Sequence, residues 1–340
     1  MPLSALRDRI FRGLELVAED SEGEYGHFPD QRPIPELLDF CIIPLDKPAG
    51  QTSSQVVAWV RQILGASRAG HSGTLDPPAT GLLPIALGDA TKALSTLLLG
   101  PKQYYAVMRL HNPVGEPELA AVLKEFSGDI YQKPPERSSV KRVRRVRTIY
   151  ELEQVERDGN LVLLRVLCQA GTYVRKLVYD MGEVLGVGAS MIELRRTRVS
   201  DLSEARGLVR LQDLSLGYSS YKEKGEEGPL RKCVLPIETA LSHMKAVAVK
   251  DSAVDAICHG ATLTVPGVAR ASRTLARSDP VAIYTQKAEL VALANSKMSF
   301  DEIYEAEKGV ACVVERVVMP SGTYPKGWKT SPPSAAQGAP

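Results

Sequence analysis

Short apolar runs and helical stripes of hydrophobic residues alternate along the chain from residue 40 to residue 185. Continuous or alternating apolar runs predict strands at 40–45, 82–87, 103–110, 149–155 and 161–168. Apolar residues at helical spacing predict helices at about 53–64, 89–99, 116–126 and 173–185. Because strands and helices are interspersed, the pattern indicates an α+β domain in which helices surround a mixed sheet.

The pattern changes on either side of this region. Residues 1–38 are polar and rich in turn formers, which predicts an irregular extension, and the charged, glycine-rich segment 217–229 predicts a connection. Beyond it, a short helix at 252–258 and brief strands at 261–265, 280–283, 290–294 and 310–318 predict a small β-rich barrel or sandwich. The last residues, 330–340, hold too little apolar surface to build a core and are expected to be disordered.

Composition narrows the class of protein. With 340 residues and 44% hydrophobic residues, the chain can bury the cores of two domains. No run approaches the roughly 20 apolar residues of a membrane span, and the first 20 residues do not resemble a signal peptide, so we expect a soluble, cytoplasmic protein with no membrane contact. Five cysteines without a CxxC pair predict reduced core thiols, and five histidines without ligand spacing predict no metal site.

Positive charge is clustered although the net charge is only +2. Residues 137–147 hold six basic residues and no acid, and Arg195, Arg196 and Arg198 form a second cluster. Such clusters are typical of a surface that binds phosphates. A solvated basic strand or a localisation patch would explain the first run equally well.

One carboxylate stands out among the polar residues. Asp76 follows the flexible residues Gly70, Ser72 and Gly73 and precedes two prolines, Pro77 and Pro78, which fix the backbone just after the acid. Such a loop presents a side chain rather than burying it, although an aspartate that merely caps a turn would give the same pattern. No second carboxylate, phosphate-binding glycine loop or Ser/His/Asp arrangement accompanies this acid.

Several motifs in order resemble the TruB/dyskerin family of pseudouridine synthases. They are AGHSGTLDPPATGLLPIALGDATK at 69–92, LDKPAGQTS at 45–53, KQYYA at 102–106, AGTYVRKL at 170–177 and GVGASMIELRRTR at 186–198. Two features are most similar to the archaeal dyskerin-type branch: a long insertion of the bacterial enzymes is missing between KQYYA and AGTYVRKL, and the segment from HGATLTVPGV onward resembles a PUA domain. Ser278–Pro280 departs from the glycine-aspartate pair common in PUA domains.

The resemblance implies a specific domain organisation. Residues 39–240 would form the catalytic domain around a mixed, mainly antiparallel sheet. Residues 245–320 would form the PUA domain, a pseudo-barrel that binds RNA. The N-terminal extension, 1–38, would pack with the PUA domain.

Residue roles follow from the same resemblance. Asp76 would be the catalytic aspartate, Arg175 its partner, and Tyr104 the aromatic that stacks on the target base, with Tyr173 assisting in removal of the C5 proton. Leu194, His71 and Lys47 would belong to the uracil pocket. Contacts to RNA phosphates would come from Lys141, Arg142, Arg144, Arg145, Arg147 and Arg196. Taken singly, Tyr104 could be an ordinary packing residue and Arg175 could cover its helix with its aliphatic stem.

The activity implied is the isomerisation of uridine to pseudouridine in RNA, which needs no cofactor because substrate and product contain the same atoms. In the dyskerin branch a box H/ACA guide RNA directs this reaction to ribosomal RNA during ribosome biogenesis. The partners would be a zinc-ribbon Nop-type protein, a Gar-type protein and a kink-turn-binding ribosomal-like protein. Two alternatives stay open: guide-independent modification of the T-arm uridine of tRNA, and an inactive RNA-binding scaffold.

Overall fold

The computed structural model describes residues 5–18, 25–133 and 143–326, which fall into two compact units. The large unit is Ile34–Ala240. The small unit combines Met1–Pro33 with Leu241–Pro340, so the N-terminal segment shares a unit with the C-terminal part of the chain. The boundary lies at residue 34 rather than at residue 39, because Ile34 and Leu37 are buried in the core of the large unit.

Helices flank the sheets in both units. In the described residues they are α1 (Ala5–Ile10), α2 (Ile34–Asp39), α3 (Ser53–Leu64), α4 (Leu94–Leu99), α5 (Glu116–Glu125), α6 (Val174–Val184), α7 (Leu211–Lys224), α8 (Glu227–Cys233), α9 (Asp251–Cys258) and α10 (Phe300–Glu305). Helix α3 begins at a capping box, in which the Thr52 side chain accepts from Gln55 N and the Gln55 side chain accepts from Thr52 N. It ends at Gly65 in the left-handed conformation.

Strands form a sheet in each unit. They are β1 (Leu14–Leu16), β2 (Cys41–Lys47), β3 (Ala69–His71), β4 (Thr80–Leu87), β5 (Lys102–Leu110), β6 (Gly128–Gln132), β7 (Arg145–Asp158), β8 (Leu161–Cys168), β9 (Ala189–Val199), β10 (Leu202–Ser203), β11 (Leu235–Pro236), β12 (Lys245–Val249), β13 (Leu263–Thr264), β14 (Val268–Ser272), β15 (Pro280–Tyr284), β16 (Leu290–Ser296) and β17 (Val310–Val317). The predicted strands of the large unit are all present within a few residues of their expected positions.

One ten-stranded sheet organises the large unit, in the order β11-β2-β4-β9-β5-β8-β7-β6, with β10 paired to β9 and β3 to β4. Among its named strands only β4 and β9 run parallel. All other pairs are antiparallel, which confirms the predicted α+β class with a mixed, mainly antiparallel sheet. Helices α3 and α7 pack in one buried cluster and α5 and α6 in another.

The small unit is built on a seven-stranded sheet, in the order β1-β14-β12-β15-β16-β17-β13. Strand β1, from the N-terminal segment, pairs antiparallel with β14. Besides β1, two of these strands, β12 and β14, were missing from the prediction. Their sequences, KAVAV and VARAS, each contain two alanines in five residues and no run of adjacent β-branched or aromatic residues that marks a strand.

Three other predictions were wrong. The segment 217–229 is not a connection, because α7 continues to Lys224 and α8 begins at Glu227, with a break only at Gly225. The N-terminal extension is not irregular throughout, since it contains α1 and β1. The helix predicted at 89–99 begins later, because Gly88–Ala93 form a 3₁₀ turn that precedes α4. The expected disorder of 330–340 concerns residues outside the described part of the chain.

Other sequence-based expectations concern the whole chain. All five cysteines are buried thiols, and none of them forms a disulfide. Within the described ranges, no helix is both long and apolar enough to cross a bilayer. Over the same ranges, no three His, Cys, Asp or Glu side chains gather in a way that could hold a metal ion.

The parallel pairing of β4 and β9 depends on Gly81. Its φ of +97° favours glycine, and a Cβ at this position would lie 2.3 Å from the carbonyl oxygen of Arg196. We expect Gly81→Ala to lower the free energy of unfolding by more than about 2 kcal/mol, measured by urea denaturation.

The matched control is Gly159→Ala in the turn between β7 and β8. Gly159 also has a positive φ, +55°, but its Cβ would meet no atom within 4 Å. The control should therefore show only the backbone penalty, about 1 kcal/mol. Equal losses in the two variants would mean that close approach of β4 and β9 does not constrain residue 81.

Candidate active site

A cavity of about 580 Å³ opens in the large unit, and it brings together five residues that the sequence predicted to act together. Asp76, Tyr104, Tyr173, Arg175 and Leu194 all line it. They come from the loop after β3, from β5, from the start of α6 and from β9. Residues separated by more than a hundred positions in sequence therefore face one space.

The loop that carries Asp76 is held from beneath by Lys47, the last residue of β2. The ammonium of Lys47 donates hydrogen bonds to the carbonyl oxygens of Pro48 (2.8 Å), Pro77 (3.0 Å) and Ala79 (2.8 Å). Lys47 is fully buried, and this burial lowers its pKa, while the charge of Asp76 acts in the opposite direction. Lys47 is not among the residues that line the cavity; the structure places it beneath the Asp76 loop, and its predicted place in the uracil pocket stays a prediction. Its bonds to Pro77 and Ala79 fix the backbone just after the acid.

Arg196 performs a similar task from the other side. Its Nε donates to the carbonyl oxygen of Leu82 (2.9 Å) and its Nη2 to that of Gly73 (3.1 Å). Arg196 is only 1% exposed, and burial lowers its pKa, while Tyr104 acts in the opposite direction. Arg196 is among the residues that line the cavity, but its Nε and Nη2 donate to backbone carbonyls, so its predicted contact with RNA phosphates stays a prediction.

The start of α3 adds a third attachment to this loop. Leu75 N donates to the Ser53 hydroxyl (2.9 Å), and that hydroxyl in turn donates to Leu75 O (3.3 Å). Gly50 N donates to the carbonyl of Pro77 (2.8 Å). Ser53 and Leu75 are buried, so these bonds anchor the residue before Asp76 inside the protein.

The Asp76 side chain emerges from this anchored loop and pairs with Arg175. Arg175 Nη2 donates to Asp76 Oδ2; the Arg175 side chain is 53% exposed and the Asp76 side chain is 47% exposed. An ion pair this open to solvent contributes little to stability, about 1 kcal/mol at most. Both groups can therefore be reached by a ligand, and neither is needed to fill the core.

The start of α6, which presents Tyr173 and Arg175, is fixed by a residue that the sequence did not reveal. Gln132, buried at the end of β6, accepts from Tyr173 N (2.9 Å) and donates to Tyr173 O (3.2 Å). Two bonds to the backbone of one residue fix both its position and its direction. No periodic or compositional signal marked Gln132, because it is a single amide followed by the sequence Lys-Pro-Pro.

Tyr104 and Leu194 occupy the neighbouring strands β5 and β9. In the ladder Tyr104 lies opposite Arg196, and Leu194 lies opposite Ala106. Burial raises the pKa of the Tyr104 phenol, and Arg196 acts against this shift. Tyr104 therefore remains neutral around pH 7 and presents an uncharged aromatic face.

The remaining predicted residues divide by position. Arg145 and Arg147 line the cavity at the start of β7, whereas Arg144 lines a separate hollow with Lys133 and Lys176. Lys141 and Arg142 lie outside the described residues. His71 is not among the residues that line the cavity, and its predicted place in the uracil pocket stays a prediction. It is half-buried in β3, where burial and then Arg196 lower its pKa, which leaves it neutral at pH 7.

Lys102 is a second residue that the sequence did not assign, although it opens the KQYYA motif. It lines the cavity but is only 4% exposed, and its ammonium donates to the carbonyls of Leu97 (3.0 Å), Leu98 (2.6 Å) and Gly100 (2.7 Å). Burial and then Arg196 lower the pKa of Lys102 to about 8. Lys102 thus holds the last turn of α4 against the cavity.

Family profiles match most of the chain. Residues 61–116 match the TruB family pseudouridylate synthase N-terminal domain, 175–242 match the tRNA pseudouridylate synthase B C-terminal domain, and 245–318 match the PUA domain. Residues 94–199 also match the C-terminal part of Pus10. These matches agree with the predicted pairing of a TruB-type catalytic domain with a PUA domain.

Individual proteins are similar over nearly the full length. The probable tRNA pseudouridine synthase B of Methanopyrus kandleri is 50% identical over 325 residues, which cover 95% of this chain and 96% of that protein. A chain in the structure of an H/ACA RNP bound to a substrate RNA containing 2′-deoxyuridine has a TM-score of 0.86 and 44% identity, covering 93% of this chain and 97% of its own. A chain of a Cbf5-Nop10-Gar1 complex has a TM-score of 0.86 and 46% identity, covering 92% and 96%.

The anchoring of the Asp76 loop predicts a large effect of removing the Lys47 ammonium. Lys47→Met would leave the buried carbonyl of Ala79 without its donor, at a cost of about 1–3 kcal/mol, while the carbonyl of Pro77 would keep its bond from Gly50 N. We expect the free energy of unfolding to fall by about 1–3 kcal/mol, measured by urea denaturation.

Lys222→Met, at an exposed position of α7, is the matched control and should change stability by less than about 0.5 kcal/mol. If both variants were equally stable, the bonds from Lys47 would not anchor the loop.

Proposed function

The chain belongs to the TruB family of pseudouridine synthases, and from that premise we propose that the Asp76 cavity is where it isomerises uridine in RNA. The observation that carries this proposal is the solvent-open pair of Asp76 and Arg175 beside Tyr104 in one cavity. A single carboxylate held by the backbone is the chemical group that this isomerisation requires from the protein.

The reaction rearranges bonds within one nucleotide. The C1′–N1 bond breaks, the detached uracil turns, and C1′ joins C5, after which C5 loses its proton and N1 gains one. The Asp76 carboxylate can serve as nucleophile toward the sugar or base, or as base toward a ribose proton. Either route needs the carboxylate ionised and in contact with the uridine, and Arg175 supplies the positive charge beside it.

Uracil must leave its stack before C1′ and C5 are accessible. Tyr104 offers a neutral aromatic face for the extruded base, and Leu194 offers an apolar wall beside it. Arg145 and Arg147 stand at the same cavity and suit the phosphates on either side of the nucleotide. Tyr173, at the start of α6, places a phenol in the cavity for removal of the C5 proton.

RNA delivery by a guide is the second part of the proposal. The similar chains in the H/ACA RNP and in the Cbf5-Nop10-Gar1 complex cover more than 90% of this chain, and they support a box H/ACA guided activity on ribosomal RNA. The accessory proteins would be of the zinc-ribbon Nop-type, the Gar-type and the kink-turn-binding type. Relatives named tRNA pseudouridine synthase B favour a second activity, guide-independent modification of the T-arm uridine of tRNA. The intact set of Asp76, Tyr104 and Arg175 argues against an inactive scaffold.

Release of tritium from 5-tritiated uridine tests the assignment of Asp76. We expect Asp76→Asn to lower the release rate by at least about 10³-fold with RNA affinity nearly unchanged, because the amide keeps the shape of the carboxylate but not its charge. Activity retained in Asp76→Asn would contradict the assignment.

The same assay separates the two RNA substrates. Ribosomal fragments should react only when guide RNA and the accessory proteins are added, and tRNA should react without them. If the complete mixture never modified a guided target while the protein alone modified tRNA fully, the guided role would fail and the tRNA role would stand.

A further inference from the structure

Two leucines at the edge of the active-site cavity face solvent although they belong to an ordered helix. Helix α4 ends in three leucines, of which Leu97 is fully buried, Leu98 is 49% exposed and Leu99 is 79% exposed. Leu98 and Leu99 line the same cavity as Asp76. Core packing explains Leu97 but gives no reason for the other two.

The position of these leucines is tightly fixed. Lys102 donates to three carbonyls in the last turn of α4 and just after it, where helix carbonyls otherwise lack partners. Directly beyond the helix, a Cβ at Gly100 would lie 2.7 Å from the Cβ of Ser200, so the backbone itself packs against β9's end. A Cβ at Gly73 would lie 3.8 Å from Leu98 Cδ1, which places Leu98 beside the Asp76 loop.

Burying the Lys102 ammonium costs free energy, which its three bonds to carbonyls at the end of α4 offset. The low pKa of Lys102, about 8, reflects this cost. The helix end that the lysine holds carries only apolar side chains toward the cavity. The occupant of this surface is therefore expected to present an apolar face.

We propose that Leu98 and Leu99 form an apolar shelf that packs against the base of a nucleotide adjacent to the target uridine. This inference rests on the proposed function. Extrusion of a uridine removes the stacking partner of each neighbouring base and leaves flat apolar surface in water. Apolar side chains that wedge against unstacked bases are a known means of covering such surface.

The charges of the cavity favour RNA as the occupant. Arg145 and Arg147 line the same cavity as the shelf, so a strand whose phosphates contact the arginines can bring a neighbouring base to the leucines. The shelf would thus recognise that the neighbouring base is unstacked, and not which base it is, since every base has an apolar face.

Single-turnover tritium release, with RNA affinity measured in parallel, tests the shelf. We expect Leu99→Ala to lower the rate of tritium release at subsaturating RNA by about tenfold. The reason is that the wild-type leucine contacts the neighbouring base only in the complex with extruded uridine, and the variant loses this contact. Leu216→Ala is the matched control: Leu216 is 71% exposed on α7 and does not line the cavity, and its truncation should leave the rate unchanged.

A second arm identifies the occupant. RNA with an abasic site next to the target, on the 5′ or on the 3′ side, removes the proposed partner base. For one of these two RNAs, wild type and Leu99→Ala should react at nearly the same rate. An undiminished difference for both RNAs would overturn the proposal, as would a Leu99→Ala rate equal to that of wild type on intact RNA. A loss seen only when accessory proteins are present would assign the leucines to a protein contact instead.

Failure of the shelf is distinguishable from failure of the proposed function. If wild type releases tritium and Asp76→Asn does not, the reaction site stands whatever Leu99→Ala does. If wild type released no tritium from any RNA, the proposed function itself would fail.

Discussion

Carbonyl groups of the Asp76 loop need hydrogen-bond donors inside the protein, and two buried cations supply them. A loop has no ladder or helix to satisfy its backbone, and an unpaired buried carbonyl costs about 1–3 kcal/mol. Lys47 reaches the carbonyls of Pro77 and Ala79, and Arg196 reaches that of Gly73. Because the backbone is held from within, the Asp76 side chain is directed outward, where Arg175 meets it.

Burial separates the cations of this site into two kinds. Lys47, Lys102 and Arg196 are at most 4% exposed and donate to backbone carbonyls, so their charges serve the fold. Arg145 and Arg175 are exposed to solvent, so an anion or the reacting nucleotide can reach them, and Arg175 also pairs with Asp76. The ten-stranded sheet makes this division possible, since β2, β5 and β9 each deliver one buried cation to the same region.

Periodicity and turn chemistry predicted most of the large unit and the outward placement of Asp76. The glycines and prolines around this acid were sufficient to predict its outward placement, because the glycines permit a tight loop and the prolines fix the backbone locally. Residue type alone does not reveal whether a cation is buried. Lys47 was therefore predicted to lie in the uracil pocket and Arg196 to contact RNA phosphates, whereas in the structure both donate to backbone carbonyls. Gln132 was missed because its two bonds to Tyr173 join positions 41 residues apart. The charged run 217–229 hid a helix, because one glycine and several charges resemble a loop.

The central claim is that the buried cations place the Asp76 carboxylate for reaction. Its most direct test is the single-turnover rate of tritium release at saturating RNA in Lys47→Met, at a temperature where the variant is fully folded. The account predicts a rate at least about tenfold below wild type with RNA affinity within about twofold, because a shift of the reacting group slows chemistry without loosening the RNA. A rate equal to that of wild type would contradict the claim.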